Sequence, residues 1–173
     1  MKLGLFTRKD VWQDTVDKTV SRMTFNASFI WRKLFESGLI SKEIAKEKCK
    51  DILFLLLVAG VHMSITQLRV SLMHNKKRSR ILAACILNSF LAGDENTYGY
   101  CDKDPREYFE NCTDFCNSLL KHRKPDEDLS HETVYGLWVT QHIFDRKPNT
   151  QTELGIAALL GTFLIELKDT WTV

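Results

Sequence analysis

Proline is scarce in this chain, three residues in 173, and glycine contributes only eight. Folds built from short strands need many turn residues and a repeating apolar–polar alternation. Neither is present, so a sheet is not expected. There is no Gly-rich phosphate loop, no nucleophile elbow and no Glu-x-x-His pair. These absences remove P-loop nucleotide chemistry, α/β-hydrolase catalysis and a carboxylate-bridged di-iron bundle. No catalytic residue and no cofactor are expected, which leans the reading away from an enzyme. No internal repeat or low-complexity segment occurs. The first residues lack a long apolar stretch and meet Arg8, Lys9 and Asp10 at once, so a secretory signal is not expected. A large excess of either charge sign is lacking too, with 24 Lys and Arg against 22 Asp and Glu. The net charge is +2, and any electrostatic argument has to come from local patches.

What the chain does have is apolar helical periodicity. The length suits a single helical domain, 1–173, with a sizeable core. Its centre is the stretch 42–73, introduced by Ser41 as an N-cap. From Ile52 to Val61 every position is apolar or glycine. A helix that is apolar all round is either the middle of a bundle or a membrane span. The uncharged part covers 52–68, about 17 residues, the lower limit for a bilayer, and it contains His62, Ser64, Thr66 and Gln67. A buried bundle helix is the expectation, and an integral membrane protein is not.

The other elements follow in order. Trp12, Val16, Val20, Met23, Ala27, Ile30 and Leu34 recur every three or four residues, predicting a first helix that ends at Gly38. A third apolar helix follows Lys76–Arg80. Asp104, Pro105 and Glu107 start a fourth. Ser130 precedes a fifth reaching Phe144, and Thr150 with Glu153 makes a capping box for a sixth, 151–168. The expected fold is all-α, a compact bundle of about six helices around the buried central one, with the third and sixth packed on it. Ala157, Ala158, Gly161 and Thr162 form a row of small residues. Their expected use is close packing inside the chain, with Ala59 and Gly60 as natural partners, and a homodimer seam is the alternative.

Four stretches could carry function. Lys76, Lys77, Arg78 and Arg80 sit where a helix begins, the wrong end of the dipole for positive charge, and could hold an anion. Nothing beside them reads bases, so nucleic acid is not expected. The loop 94–104 resembles an EF-hand loop at Asp94, Asn96, Gly99 and Asp102. However, Tyr98 takes a ligand position and Pro105 stands where the bidentate Glu belongs, so calcium is not expected. Tyr98 and Tyr100 in that loop are instead candidate contact residues. His131, Tyr135, Trp138 and His142 share one side of the fifth helix and could meet a partner or line a pocket. Cys112 and Cys116 lie one turn apart, near Cys101 and His122 in sequence. Without a tight Cys-x-x-Cys turn they read as buried thiols, and no metal site is expected.

Five cysteines, an odd number and mostly in apolar settings, suit reduced thiols in the cytoplasm. The functional expectation is a small cytosolic binding or regulatory protein acting through protein–protein contacts. The alternative is a small-molecule or anion-binding helical domain, its pocket between the His131–His142 face and the basic run.

Overall fold

The computed structural model describes residues 8–38, 40–92, 103–122, 131–145, 150–151 and 153–158. Among these residues the chain is helical and without strands, an all-α bundle. The elements are α1 (Arg8–Ser37), α2 (Lys42–Glu47), α3 (Cys49–Ser71), α4 (Lys76–Leu91), α5 (Pro105–Lys121) and α6 (His131–Phe144), followed by helical residues 153–158.

Local chemistry sets most of the boundaries. Gly38 takes φ +68° after α1, the left-handed conformation that glycine adopts without strain. The Ser41 hydroxyl accepts from Ile44 N–H at 3.2 Å and caps α2. Asp104 accepts from Arg106 N–H at 2.9 Å, with Pro105 in the first turn of α5. The capping box at Thr150 is formed in both directions, at 3.2 and 3.3 Å.

The central stretch differs from the expectation of one helix. It is divided at Lys48, whose φ of −96° and ψ of 13° depart from the helical basin. The hydrogen-bond ladder runs on through the break, with Lys48 N–H bonded to Ile44 O and Ile52 N–H to Lys48 O, both at 2.8 Å. The Lys48 ammonium leaves the axis to donate to Ile143 O at 2.6 Å, and it pairs with Asp145 at 3.1 Å. Ile143 O is one of the last carbonyls of α6, where a helix lacks internal donors and carries negative partial charge. This contact over 95 residues fixes the end of α6 against the start of α3.

α3 is the hub, packed on α1, α4, α5 and α6. Phe54, Leu55, Leu56, Leu57, Val58, Ala59 and Val61 are all buried. Neighbours on every side explain why the sequence offers no polar face there. By length and composition Cys49–Val70 could cross a membrane, and 67% of its most apolar 18 residues are buried inside the fold. Three of its polar residues find partners locally or across the interface. Ser64 donates to Gly60 O at 2.6 Å, Thr66 donates to His62 O at 3.0 Å, and His62 bonds to Tyr135.

Whether the small-residue row packs on Gly60 turns on Gly161 and Thr162, which lie outside the described residues. Among the described residues, the nearest atom to a Cβ placed at Gly60 is Met23 Cγ of α1, at 3.9 Å. That is ordinary contact, so Gly60→Ala should fit. Because glycine is a poor helix former, the variant is expected to be about 0.5–1 kcal/mol more stable, read as a higher urea midpoint. Of the row itself, Ala157 is buried and Ala158 is exposed.

Candidate functional site

The aromatic stripe of α6 faces inward, against α3 and α5. Tyr135 and Trp138 are buried, and Trp138 has no solvent exposure. Its indole N–H donates to Asn111 Oδ1 of α5 at 2.8 Å, satisfying the ring's one polar group. His142 is half-buried. Its Nδ1 lies 2.8 Å from Trp138 O, which can only accept, so this nitrogen carries the proton. The Trp138 and His142 ring centres are 4.6 Å apart, Tyr108 lies 5.7 Å from His142, and Phe54 lies 5.4 Å from Tyr108. The expectation that Tyr135 and Trp138 present a contact surface is therefore corrected. Two neighbouring helices cover that side, and the polar tips are satisfied internally. His131 opens α6, but its side chain is outside the described residues.

One turn along α6, Tyr135 organises a second cluster. His62 Nδ1 and the Tyr135 hydroxyl share a hydrogen bond of 2.7 Å, with the two ring centres 5.6 Å apart. The Phe109 ring lies 5.3 Å from the imidazole. Cys112 and Cys116, one turn apart on α5, are both buried here. A ring nitrogen of His62 and the two sulfurs lie within 4.8 Å of one another. Burial, reinforced by the Arg69 charge, lowers the His62 pKa to about 4, so the imidazole is neutral near pH 7. Burial raises the Cys112 pKa well above that of an ordinary thiol, and its hydrogen bond and proximity to Cys116 add to the rise. Two soft sulfur donors and a neutral imidazole are a donor set suited to a thiophilic metal ion.

The sequence missed this meeting. The cysteine pair was legible, but the partners sought were its sequence neighbours. His122 is exposed beyond the end of α5, and Cys101 lies outside the described residues. The available signal was His62 itself, an imidazole inside an apolar helix that had to find a buried partner.

The basic run opens α4. Asn75 caps it, accepting from Arg78 N–H at 3.1 Å, so one backbone donor that an anion would need is already engaged. Lys76, Lys77, Arg78 and Arg80 are exposed, and the first turn holds no acidic residue. The run follows the C-terminal end of α3, whereas Lys48 ties the His142 end of α6 to the N-terminal end. At 1.5 Å per residue, α3 separates the two by roughly 30 Å. A pocket shared by His142 and the basic run is thereby corrected. Tyr98, Tyr100 and most of the calcium-like loop, with Asp94, Asn96, Gly99 and Asp102, lie outside the described residues.

No known protein family, curated protein or solved structure matches this chain.

Proposed function

We propose that the protein is a non-enzymatic binding protein that engages an acidic, apolar-anchored segment of another protein through the α3–α4 turn. The observation behind this reading is the pairing of exposed aliphatic and cationic side chains at that one turn. Val70, Met73 and Ile81 are 56%, 67% and 43% exposed. Arg69, Lys76, Lys77 and Arg80 are exposed among them. No carboxylate occurs anywhere from residue 52 to residue 93, so the neighbouring sequence does not neutralise these charges.

Lys76 and Lys77, in the first turn of α4, also sit where they cost stability. At a helix N-terminus each positive charge opposes the macrodipole by about 0.3–1 kcal/mol. Their position favours a use outside the fold. Exposed apolar groups close in sequence to exposed cations suit a small interface, with apolar contacts for affinity and cations for steering and selectivity. Cys49, Cys85, Cys112 and Cys116 are unpaired thiols, which supports a reducing compartment and, within this proposal, the cytoplasm.

The test is selection from a random peptide library by wild type and by a Lys76→Glu/Lys77→Glu/Arg80→Glu variant. Wild type is expected to select acidic peptides with leucine or aromatic anchors, and to bind them less tightly as salt rises. The variant is expected to bind the same peptides roughly tenfold more weakly or worse, with its melting temperature preserved. Selection of no acidic sequences, or equal binding by the variant, would sink the reading. So would binding to anionic phospholipid vesicles in place of peptides.

A further inference from the structure

We propose that His62, Cys112 and Cys116 form a buried site for a thiophilic divalent cation, zinc(II). Two sulfurs one helical turn apart on α5 and an imidazole from α3 converge at the three-helix junction with α6, their donor atoms within 4.8 Å of one another. Ligand atoms around a bound zinc are about 3.5–4 Å apart, given zinc–sulfur and zinc–nitrogen bonds near 2.3 and 2.0 Å. Closing from the observed spacing requires the donor atoms to approach one another by only about an ångström.

Charge selects the cation. Loss of one proton from each thiol leaves two thiolates, which neutralise zinc(II) and keep the buried centre uncharged. The same ligands around copper(I) would leave a net negative charge in apolar surroundings, which is costly. Both protons are released to solvent on binding. The Tyr135 hydroxyl acts as a positioning group, because its 2.7 Å bond to Nδ1 holds the orientation of the His62 ring. A fourth coordination position remains for water or an added donor, as in zinc sites with three protein ligands. Simple core packing accounts for the cysteines, which are common buried residues. It accounts less well for His62, which directly follows the all-apolar run 52–61 of α3 and is half-buried, where a leucine would bring no polar ring to satisfy.

The experiment uses the full chain, reduced and metal-free. One equivalent of cobalt(II) is expected to produce thiolate-to-metal absorption in the near ultraviolet and the visible bands of a tetrahedral site, both bleached by zinc(II). Zinc should protect Cys112 and Cys116 from alkylation, read by peptide mass spectrometry, and leave Cys49 and Cys85 as reactive as before. His62→Leu, chosen because leucine suits the apolar surroundings, should fold, lose the cobalt spectrum and no longer gain melting temperature from zinc. Tyr135→Phe should bind zinc about 10–100-fold more weakly. Absence of a thiolate band in wild type, protection of Cys49 or Cys85 in place of the pair, or equal zinc binding by His62→Leu would overturn the site. Protection by copper(I) and not by zinc(II) would overturn the choice of ion.

Discussion

Trp138→Ala is expected to destabilise the protein by about 3–5 kcal/mol, measured as the loss in urea-unfolding free energy with an unchanged slope. The indole is wholly buried among α3, α5 and α6, and truncation removes its apolar contacts and leaves a large cavity. It also breaks the 2.8 Å bond to Asn111 and the 4.6 Å ring contact with His142. Asn111 is exposed, so its freed carbonyl can turn to water, and the hydrogen bond contributes only about 1 kcal/mol of the total. Trp138→Phe, which keeps a ring in the cavity, should cost markedly less. A Trp138→Ala loss below about 1 kcal/mol would mean that the stripe is not the glue of this junction. For the same reason a Trp138 variant is unsuitable as a probe of surface contacts, because any loss of binding would report unfolding.

Acid should weaken the metal-free protein through His62. Its pKa falls from 6.5 to about 4 on folding, chiefly by burial. Between those values the unfolded chain takes up a proton that the folded protein refuses, so the stability due to neutral His62 is complete above pH 6.5 and is lost progressively as pH falls toward 4. At 1.36 kcal/mol per pH unit, the loss over that window is about 3 kcal/mol. His62→Leu has no such proton to take up. The stability difference between wild type and His62→Leu, measured by urea unfolding at pH 7 and at pH 4, should therefore move by about 3 kcal/mol in favour of the variant on acidification. A constant difference across that range would show that His62 is solvated and not enclosed by Phe109, Tyr135 and the cysteine pair. Carboxylates also titrate near pH 4, but they are common to both proteins and cancel in the comparison.

The legible parts of the fold were those governed by local chemistry. Ser41, Asp104 and Thr150 are caps where their sequence contexts require caps, and Gly38 ends α1 in the conformation that glycine permits. The apolar stretch after Asp51 is the hub because a helix without a polar face must be covered on all sides. The division at Lys48 was not legible. Lysine is a good helix former, and the break coincides with two contacts to Ile143 and Asp145, nearly a hundred residues away. The sidedness of α6 was legible only as a stripe. Tyr, Trp and His are amphipathic, so their spacing marks a shared side without saying whether water or another helix faces it.

Taken alone, the amino-acid sequence determined the fold class, the caps, the central helix and the presence of a cation-rich turn, because each depends on residues within a few positions of one another. It also placed Cys112 and Cys116 on one side of one helix. Only the tertiary structure decided that His62 meets them, that Tyr135 holds the imidazole, and that Trp138 is core. It also set the basic turn at the end of α3 away from His142. Those meetings join residues tens of positions apart. They depend on which faces of α3, α5 and α6 are buried together, and helical periodicity alone cannot choose among such pairings.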